Sequence, residues 1–390
     1  METFCPLPWT HLFINPAGNS RLCCSAHGHA ENYKNLINNK SFNKARLKML
    51  NNERPSACNK YCYSTEDHGG YSKRNELLKE QRSQYTISFN DAVRNTNSDG
   101  SIKKDLITDL DLRIGNTCDL ACVMCGSINS SKWAELEKEI NMSKGMEHTF
   151  EDKWWENKKF WEELNEILLH AKLIKFGGGE PLLLKQHKDV LKFIKDNNPN
   201  CIIKYITNAN NISQEYIDLW QDIPNLSFTF SIDSIENRIE YLRWPIKWDN
   251  CVRNMKRLKV LKRKPNVVIN YTMTLFNILY VNEDLHWFSE KKNELGIDNI
   301  NLNHVHHPAF LHAGLLPEDI KSNIHIDNED YAKDVTAYLD SATHNELQWN
   351  QFLKYAERLD SARGTDCRKT FPALFNSIKY LTKFPGVSKM

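Results

Sequence analysis

The stretch that decides the fold is Asp109-Leu-Asp-Leu-Arg-Ile-Gly-Asn-Thr-Cys118-Asp-Leu-Ala-Cys122-Val-Met-Cys125. Its first six residues alternate polar and apolar side chains, a pattern typical of a strand. Three cysteines follow in the spacing C-x3-C-x2-C. Thiolates are the usual ligands of iron–sulfur clusters, so three of them on one loop can hold three irons of a cubane and leave the fourth open. A zinc site is the alternative, but it usually pairs two C-x2-C knuckles or combines Cys with His, and no second knuckle follows.

Five further strands are predicted after Asp109–Ile114, separated by helical patterns. They are Lys172–Phe176, Ile202–Ile206, Leu226–Ile232, Val267–Leu275 and Asn299–Val305. Strict alternation of strands and helices predicts parallel strands with right-handed crossovers. Six units are fewer than the eight of a full barrel, so a partial (β/α)6 barrel is the simplest architecture. A flat doubly wound sheet is the alternative. In either fold, ligand sites lie at the carboxyl ends of the strands.

Composition narrows the class of protein. The chain has 390 residues, with 51 Lys and Arg against 49 Asp and Glu, a formal net charge of +2. This near-neutral balance argues against a polybasic nucleic-acid binder. No apolar run approaches the roughly 18 residues that span a bilayer, and the first residues, METFCPLPWTHLF, do not resemble a signal peptide. We therefore predict a cytoplasmic protein with neither a membrane nor a nucleic-acid partner.

Cysteine usage is unusual for such a protein. Eight of the eleven cysteines fall in the first third of the chain. In a reducing compartment, clustered cysteines indicate metal binding or catalysis rather than disulfides. Residues 1–75 lack sustained periodicity, so metal is the natural candidate to hold them. Cys201 and Cys251 lie in or beside apolar segments and are predicted to be buried, inert thiols.

The second predicted strand ends in Phe176-Gly-Gly-Gly-Glu180-Pro181. Glycines let the backbone approach a ligand closely, and a carboxylate beside them can accept hydrogen bonds from an ammonium group. With the cysteine loop after the first strand, this motif resembles the radical S-adenosylmethionine (SAM) enzymes. The resemblance implies a [4Fe–4S] cluster on Cys118, Cys122 and Cys125, whose open iron is chelated by SAM. Met124 stands where the family usually has an aromatic residue, but Met is also apolar.

The resemblance also implies SAM contacts at three strand ends. The GGE motif that binds the SAM amine is matched by Gly178, Gly179 and Glu180, and the other candidates are Thr207, Asn208, Ser231, Asp233 and Arg243. Asn and Ser at such positions often only make turns. Arg243 is expected to pair with the SAM carboxylate or, alternatively, to form a surface salt bridge. At the end of the sixth strand, His304, His306 and His307 are candidates for proton transfer or substrate contact, and a mononuclear metal site there is the weaker option.

The N-terminal segment carries a second cysteine pattern, C-x12-G-x4-C from Cys5 to Cys23, followed by Cys58 and Cys62. It resembles the SPASM/twitch domains of radical SAM enzymes, as do the downstream residues Glu66, Gly69, Ser72 and Arg74. This resemblance implies an auxiliary [4Fe–4S] cluster on Cys5, Cys23, Cys58 and Cys62, with Cys24 competing with Cys23. A structural zinc on the same thiolates is the alternative. The predicted domains are a twitch-like domain at 1–80, a linker at 81–104, the barrel at 105–310 and a helical C-terminal segment at 311–390.

The function implied by the resemblance is reductive cleavage of SAM to a 5′-deoxyadenosyl radical, which removes a hydrogen atom from a substrate. A flavodoxin- or ferredoxin-type reductant would supply the electron, and the auxiliary cluster would assist electron transfer. SPASM/twitch relatives favour a peptide or protein residue as substrate, for oxidation, crosslinking or epimerisation. A sugar or other small metabolite is the alternative. A non-catalytic iron–sulfur or zinc scaffold is a third hypothesis, against which the GGGEP motif argues.

Cys367 is a further catalytic candidate, because some radical SAM peptide epimerases return a hydrogen atom to the substrate from a cysteine outside the clusters. It lies in a polar stretch, and flanking Arg363, Arg368 and Lys369 are expected to lower its thiol pKa. The alternative is an ordinary cysteine in a surface turn. Two helices are predicted in the C-terminal segment before Cys367, at Glu329–Asp340 and Leu347–Ser361.

Overall fold

The computed structural model describes residues 2–26, 35–79, 86–140 and 153–377. Within these ranges the strands are β1 (His11–Ile14), β2 (Ser20–Arg21), β3 (Asp109–Arg113), β4 (Leu173–Gly177), β5 (Ile202–Thr207), β6 (Leu226–Ser231), β7 (Asn266–Met273) and β8 (Asn299–His304). They form one sheet in the order β2-β1-β3-β4-β5-β6-β7-β8. All six predicted strands are confirmed, with ends that differ by at most two residues.

The helices of the described ranges are α1 (Leu7–Thr10), α2 (Lys40–Leu50), α3 (Ser64–Asp67), α4 (Lys73–Lys79), α5 (Phe89–Arg94), α6 (Ser131–Glu139), α7 (Lys158–Leu168), α8 (Lys185–Asn197), α9 (Gln214–Trp220), α10 (Glu236–Leu242), α11 (Trp248–Arg257), α12 (Val281–Leu295), α13 (Glu318–Lys321), α14 (Glu329–Asp340), α15 (Glu346–Arg363), α16 (Cys367–Thr370) and α17 (Pro372–Ser377). Both predicted C-terminal helices are confirmed as α14 and α15. No helix in these ranges is long and apolar enough to cross a bilayer.

The strand pairings confirm the predicted α/β class. β3 pairs in parallel with β4, β4 with β5, and β7 with β8. Leu110 lies beside Ile174, which lies beside Ile203, and all three side chains are buried. Side chains at one level of adjacent strands point to the same face of a sheet, so these three form one layer of the core. The alternation of strands and helices along the chain is that of a partial (β/α)6 barrel core followed by C-terminal helices.

The N-terminal segment adds two strands that the sequence did not predict, so the sheet has eight strands rather than six. β1 pairs in parallel with β3, placing Leu12 beside Leu110, and all four of its residues are buried. A four-residue strand that is buried throughout shows no alternation, which is why its pattern was missed. Sheet hydrogen bonds therefore hold part of a segment for which metal was the expected support.

Helix α15 has clear signals at both ends. The Asn345 side chain accepts a hydrogen bond from the N–H of Gln348, and Gly364 ends the helix with a positive φ of 64°. An N-cap side chain and a left-handed glycine satisfy groups that the helix itself leaves unpaired. The buried side chains of α15 recur every three or four residues and include Tyr355 and Arg363. This face reaches the candidate site described below.

The described residues divide into two compact units. The first unit comprises the described residues within 1–117, 149–206 and 213–227. The second unit comprises the described residues within 118–148, 207–212 and 228–390. The domain boundaries expected from the sequence stay a prediction. Of the predicted linker, residues 81–85 lie outside the described ranges, and the rest contains α5 with Ala92 fully buried.

Candidate functional site

The three cysteines Cys118, Cys122 and Cys125 lie on the loop between β3 and α6, in the second unit. Cys122 is buried and the other two are half-buried. The N–H of Cys125 donates to the carbonyl of Cys122 at 2.9 Å, which closes a turn between them. Burial raises the pKa of the Cys122 thiol to about 12 and also raises that of Cys125. A raised pKa keeps these thiols protonated and neutral at pH 7 when no metal is present. A bound metal would deprotonate them, so the loop suits thiolate ligands that become charged only when iron binds.

Three consecutive carbonyls of this loop, at positions 121–123, each accept a hydrogen bond from a buried side chain. Arg363 Nη2 donates to the first at 2.6 Å. Trp133 Nε1 donates to the second, that of Cys122, at 2.7 Å. The Tyr355 hydroxyl donates to the third at 2.7 Å. We call Trp133, Tyr355 and Arg363 the loop clamp. Each of these carbonyls is thus held from outside the loop, which positions the backbone around the central cysteine.

A buried ion pair lies against the same cysteine. Arg243 Nη1 donates to Cys122 Sγ at 3.6 Å, and Arg243 Nε is 2.6 Å from a carboxylate oxygen of Asp233. Asp233 is fully buried, and its other oxygen accepts the N–H of Thr272 at 2.9 Å. Burial alone would lower the Arg243 pKa, but Asp233 and Cys122 raise it above its usual value. Two predicted SAM contacts are thus paired with each other. The alternative of a surface salt bridge is wrong, because the Asp233 side chain is fully buried and that of Arg243 is only 11% exposed.

Removing one partner of this pair should destabilise the protein. We expect Asp233→Ala to lower the free energy of unfolding by about 3–5 kcal/mol, because it leaves the Arg243 guanidinium buried without its counter-charge. Urea unfolding followed by circular dichroism measures the change. The matched control is Asp67→Ala, which breaks an exposed pair with Arg54 and should leave the free energy of unfolding nearly unchanged, because solvent screens such a pair. Equal losses in the two variants would contradict the prediction.

The strand-end candidates Thr207 and Asn208 also lie in the second unit and shape the turn after β5. Thr207 Oγ1 accepts the N–H of Ala209 at 3.3 Å. Asn208 Oδ1 accepts the N–H of Asn210 at 2.9 Å, and its amide donates to Asp119 Oδ1 at 2.8 Å. Asp119 directly follows Cys118 and was not predicted. It holds this turn to the cysteine loop. Ser231, at the end of β6, is half-buried.

The GGE motif lies in the first unit, at the end of β4. A Cβ atom on Gly179 would lie 2.2 Å from the carbonyl oxygen of Thr117, and Gly178 has a φ of +111°. Only glycine fits both positions. The N–H of Glu180 donates to the same Thr117 oxygen at 2.8 Å, and its buried carboxylate accepts the N–H of Leu182 at 3.1 Å. The motif is thus packed against Thr117, the residue before Cys118 in the sequence.

The model of the radical SAM superfamily matches residues 112–287. The chain carries a radical SAM domain. The matched range includes the cysteine loop, the GGE motif and Arg243, but it ends before α15. Two of the three clamp residues, Tyr355 and Arg363, therefore lie outside the matched range.

The chain is also similar to several solved structures. These include anSMEcpe with bound AdoMet (17% identity over 52% of this chain and 50% of that chain, TM-score 0.39). Streptococcus suis SuiB bound to S-adenosylmethionine shows 13% identity over 90% and 74%, with a TM-score of 0.38. TYW1 with a lysine-pyruvate adduct shows 19% identity over 69% and 89%, with a TM-score of 0.33. The match to anSMEcpe spans about half of that protein's length. A comparison with curated protein sequences found no match.

Four cysteines of the first unit lie together, apart from the radical SAM domain in sequence. Cys5, Cys23, Cys58 and Cys62 line one small pocket, whereas Cys24 is exposed and does not line it. Burial raises the thiol pKa of Cys5, that of Cys23 to about 11 and that of Cys58 to about 12. Among the described residues, no three Cys, His, Asp or Glu side chains converge on a single-ion position. A cluster does not require such convergence, because it binds each thiolate at a different iron.

Three of the residues that resemble the twitch pattern form an ion network beside this pocket. The Arg74 guanidinium pairs with Glu66, and Ser72 donates a hydrogen bond to the same carboxylate. Arg74 also donates to the carbonyl of Phe4 at 3.1 Å. Phe4 precedes Cys5, so the network ties the first cysteine to the segment that follows the fourth.

The three histidines at the end of β8 and just after it are in the second unit. His304 Nε2 is 3.1 Å from a carboxylate oxygen of Asp334, and its ring stacks on Tyr338 with 4.4 Å between centroids. His306 and His307 are exposed. The expected role in proton transfer or substrate contact stays a prediction.

Cys367 differs from its sequence-based expectation. The residue is buried, and burial raises its thiol pKa to about 12, with the carboxylate of Asp360 adding to the rise. The expected lowering of the pKa is wrong, because burial and Asp360 outweigh the lowering effect of Arg368. Arg363 donates instead to backbone carbonyls of the cysteine loop and of α10. The surface-turn alternative is wrong too. Return of a hydrogen atom by Cys367 stays a prediction. Cys201 and Cys251 are buried, as predicted.

Proposed function

We propose that the protein is a radical SAM enzyme that cleaves SAM reductively and removes a hydrogen atom from a peptide or protein residue. The observation that carries the chemistry is the set of three thiols on one clamped loop inside the matched domain. In this proposal Cys118, Cys122 and Cys125 hold the [4Fe–4S] cluster. When bound, the cluster and SAM supply the one-electron cleavage that yields the 5′-deoxyadenosyl radical.

In this proposal, the chain's own residues bind SAM and orient it. Glu180 is the candidate acceptor for the SAM ammonium group, because Gly178 and Gly179 allow the backbone of its turn to pack closely. Thr207, Asn208 and Ser231 remain candidates for contacts with SAM. Their proposed part is to fix the turns at strand ends that border the ligand.

Arg243 takes a different proposed role from the one expected. Its side chain is committed to Asp233 and to the sulfur of Cys122, so it supports a cluster ligand rather than pairing with the SAM carboxylate. A hydrogen bond from a cation to a cluster sulfur stabilises the more reduced state and is one of the means by which proteins tune cluster potentials.

The auxiliary [4Fe–4S] cluster is proposed at Cys5, Cys23, Cys58 and Cys62. Its support is the shared pocket that these four thiols line and the ion network beside it. Full ligation by four thiolates leaves no iron open to substrate, which favours electron transfer as its part in the reaction. A flavodoxin- or ferredoxin-type protein is the proposed redox partner.

Iron content tests the two-cluster proposal. Anaerobically reconstituted protein should hold about eight irons per chain, and the variant with Ala at all three barrel cysteines about four. Cys24→Ala is the matched control and should keep about eight, because this thiol lies outside the pocket. Finding one zinc and no iron in the triple variant would contradict the auxiliary cluster and favour a structural zinc on the same four thiolates.

The peptide substrate class rests on the resemblance of the N-terminal cysteines to SPASM/twitch domains. It is tested by incubating reconstituted enzyme, SAM and dithionite with small peptides encoded beside its gene, followed by mass spectrometry. A mass change that depends on SAM supports the proposal. Turnover of a sugar panel, with no change in any peptide, would favour the small-metabolite alternative.

A further inference from the structure

A cavity of about 320 Å³ opens on the first unit beside the proposed auxiliary site. Lys40, Lys44 and Lys48 of α2 line one side, and Arg21 of β2 also lines it. Lysines four residues apart lie on one face of a helix, and these three span about 12 Å along it. The described residues that line the cavity include no Asp or Glu.

This concentration of charge is local. The whole chain has a formal net charge of only +2. Lys48 lies 3.9 Å from the carboxylate of Glu53, and both side chains are at least one-third exposed. An exposed pair at that distance neutralises little of the field. The cavity is therefore a positively charged surface that attracts acidic groups.

The cavity also has apolar walls. Leu22, Phe42 and Ala45 line it, and all three are buried. An occupant must offer acidic groups spread over about 12 Å together with an apolar group. A single phosphate or carboxylate cannot reach all three lysines, whereas about four residues of extended chain at 3.3 Å each span the distance. The chemistry fits an acidic polypeptide surface.

The position of the cavity indicates which polypeptide. Leu22 lines both this cavity and the four-cysteine pocket, and Cys23 follows it in the chain. Ala57 also lines the cavity and directly precedes Cys58. We propose that the cavity is the docking site of an acidic one-electron carrier of the flavodoxin or ferredoxin type, an inference that rests on the proposed auxiliary cluster. Small, polar, charge-steered contacts are typical of redox encounters.

The redox step is a simple exchange. One electron leaves the reduced auxiliary cluster, which is oxidised by one electron, and enters the flavin or cluster of the oxidised carrier, which is reduced by one electron. The carrier thus removes the electron that the auxiliary cluster receives from the substrate.

Binding tests the site without relying on turnover. The probe is oxidised flavodoxin of net negative charge, titrated into reconstituted full-length protein at low and at high salt. Wild-type binding should weaken with salt, and the double variant K40E/K44E should bind about tenfold more weakly at low salt. The matched control K158E/K185E makes the same change in net charge on exposed helix positions outside the cavity lining and should bind like wild type.

Different results would contradict the docking site, the carrier as its occupant, or electron transfer by the auxiliary cluster. Equal binding by K40E/K44E and wild type, equal weakening in both double variants, or no wild-type binding at low salt would each overturn the docking site. Binding of an acidic peptide but not of flavodoxin would overturn the carrier as occupant. Mixing reduced protein with oxidised flavodoxin then tests the cluster separately. Cavity-dependent binding without flavin reduction would support the docking site and count against electron transfer by the auxiliary cluster.

Discussion

Replacing any one of Cys118, Cys122 and Cys125 with Ala is expected to reduce 5′-deoxyadenosine formation from SAM to background. Each thiolate holds one iron, and a cubane that lacks one of them cannot keep a single open iron for SAM. The loss should exceed the roughly 100-fold that follows removal of an outer partner of a metal ligand. The measurement is anaerobic, dithionite-driven cleavage of SAM, quantified by chromatography.

The matched control is Cys251→Ala. Cys251 is a buried thiol of the same compact unit, but its sulfur contacts the carbonyl of Asn208 rather than the cysteine loop. This variant should keep cleavage within a few-fold of wild type. A wild-type rate in any of the three loop variants would remove that residue from the cluster site.

The second large effect is expected from the loop clamp. Tyr355→Phe removes only the hydroxyl that donates to the carbonyl at position 123, and leaving that carbonyl buried and unpaired should cost about 1–3 kcal/mol of stability. Arg363→Ala should cost more, about 3–5 kcal/mol, because two carbonyls lose their donor and a void opens beside Trp133. Both should also weaken cluster retention, by about 10–100-fold in affinity.

Iron bound per chain after dialysis, and the electron paramagnetic resonance signal of the reduced cluster, measure this effect independently of turnover. Tyr331→Phe is the matched control, since the Tyr331 hydroxyl donates to the carbonyl of Ile300 in β8 at 2.9 Å. It should lose stability without changing the signal assigned to the Cys118/Cys122/Cys125 cluster. An unchanged signal and iron content in Tyr355→Phe and Arg363→Ala would contradict a role for the clamp in holding the cluster.

The strands downstream of residue 109 could be predicted because their pattern is local. β3 to β8 are bounded by turn residues and separated by helices, and that order by itself predicts parallel pairing. β1 could not be predicted in the same way. Its four residues are all buried, and they become a strand only because the edge of β3 offers hydrogen-bond partners.

The candidate site, like the strands, has some features that are encoded by neighbouring residues and others that depend on folding. The sequence by itself determined which chemical groups the candidate site offers, because the spacing of Cys118, Cys122 and Cys125 and the glycines before Glu180 are properties of neighbouring residues. Only the tertiary structure decided how these groups are held. Asp233 and Arg243 were expected to face SAM, yet folding pairs them with each other.

The clamp and the cysteine pocket show the same dependence on folding. Tyr355 lies 232 positions from the carbonyl that it holds, and Arg363 lies 242 positions from its partner at 121. No local pattern encodes such contacts, because a helix face shows which side chains are buried but not what they meet. Likewise, both Cys23 and Cys24 were possible ligands by sequence. Only folding placed Cys23 with Cys5, Cys58 and Cys62 and left its neighbour exposed, since adjacent side chains point in different directions.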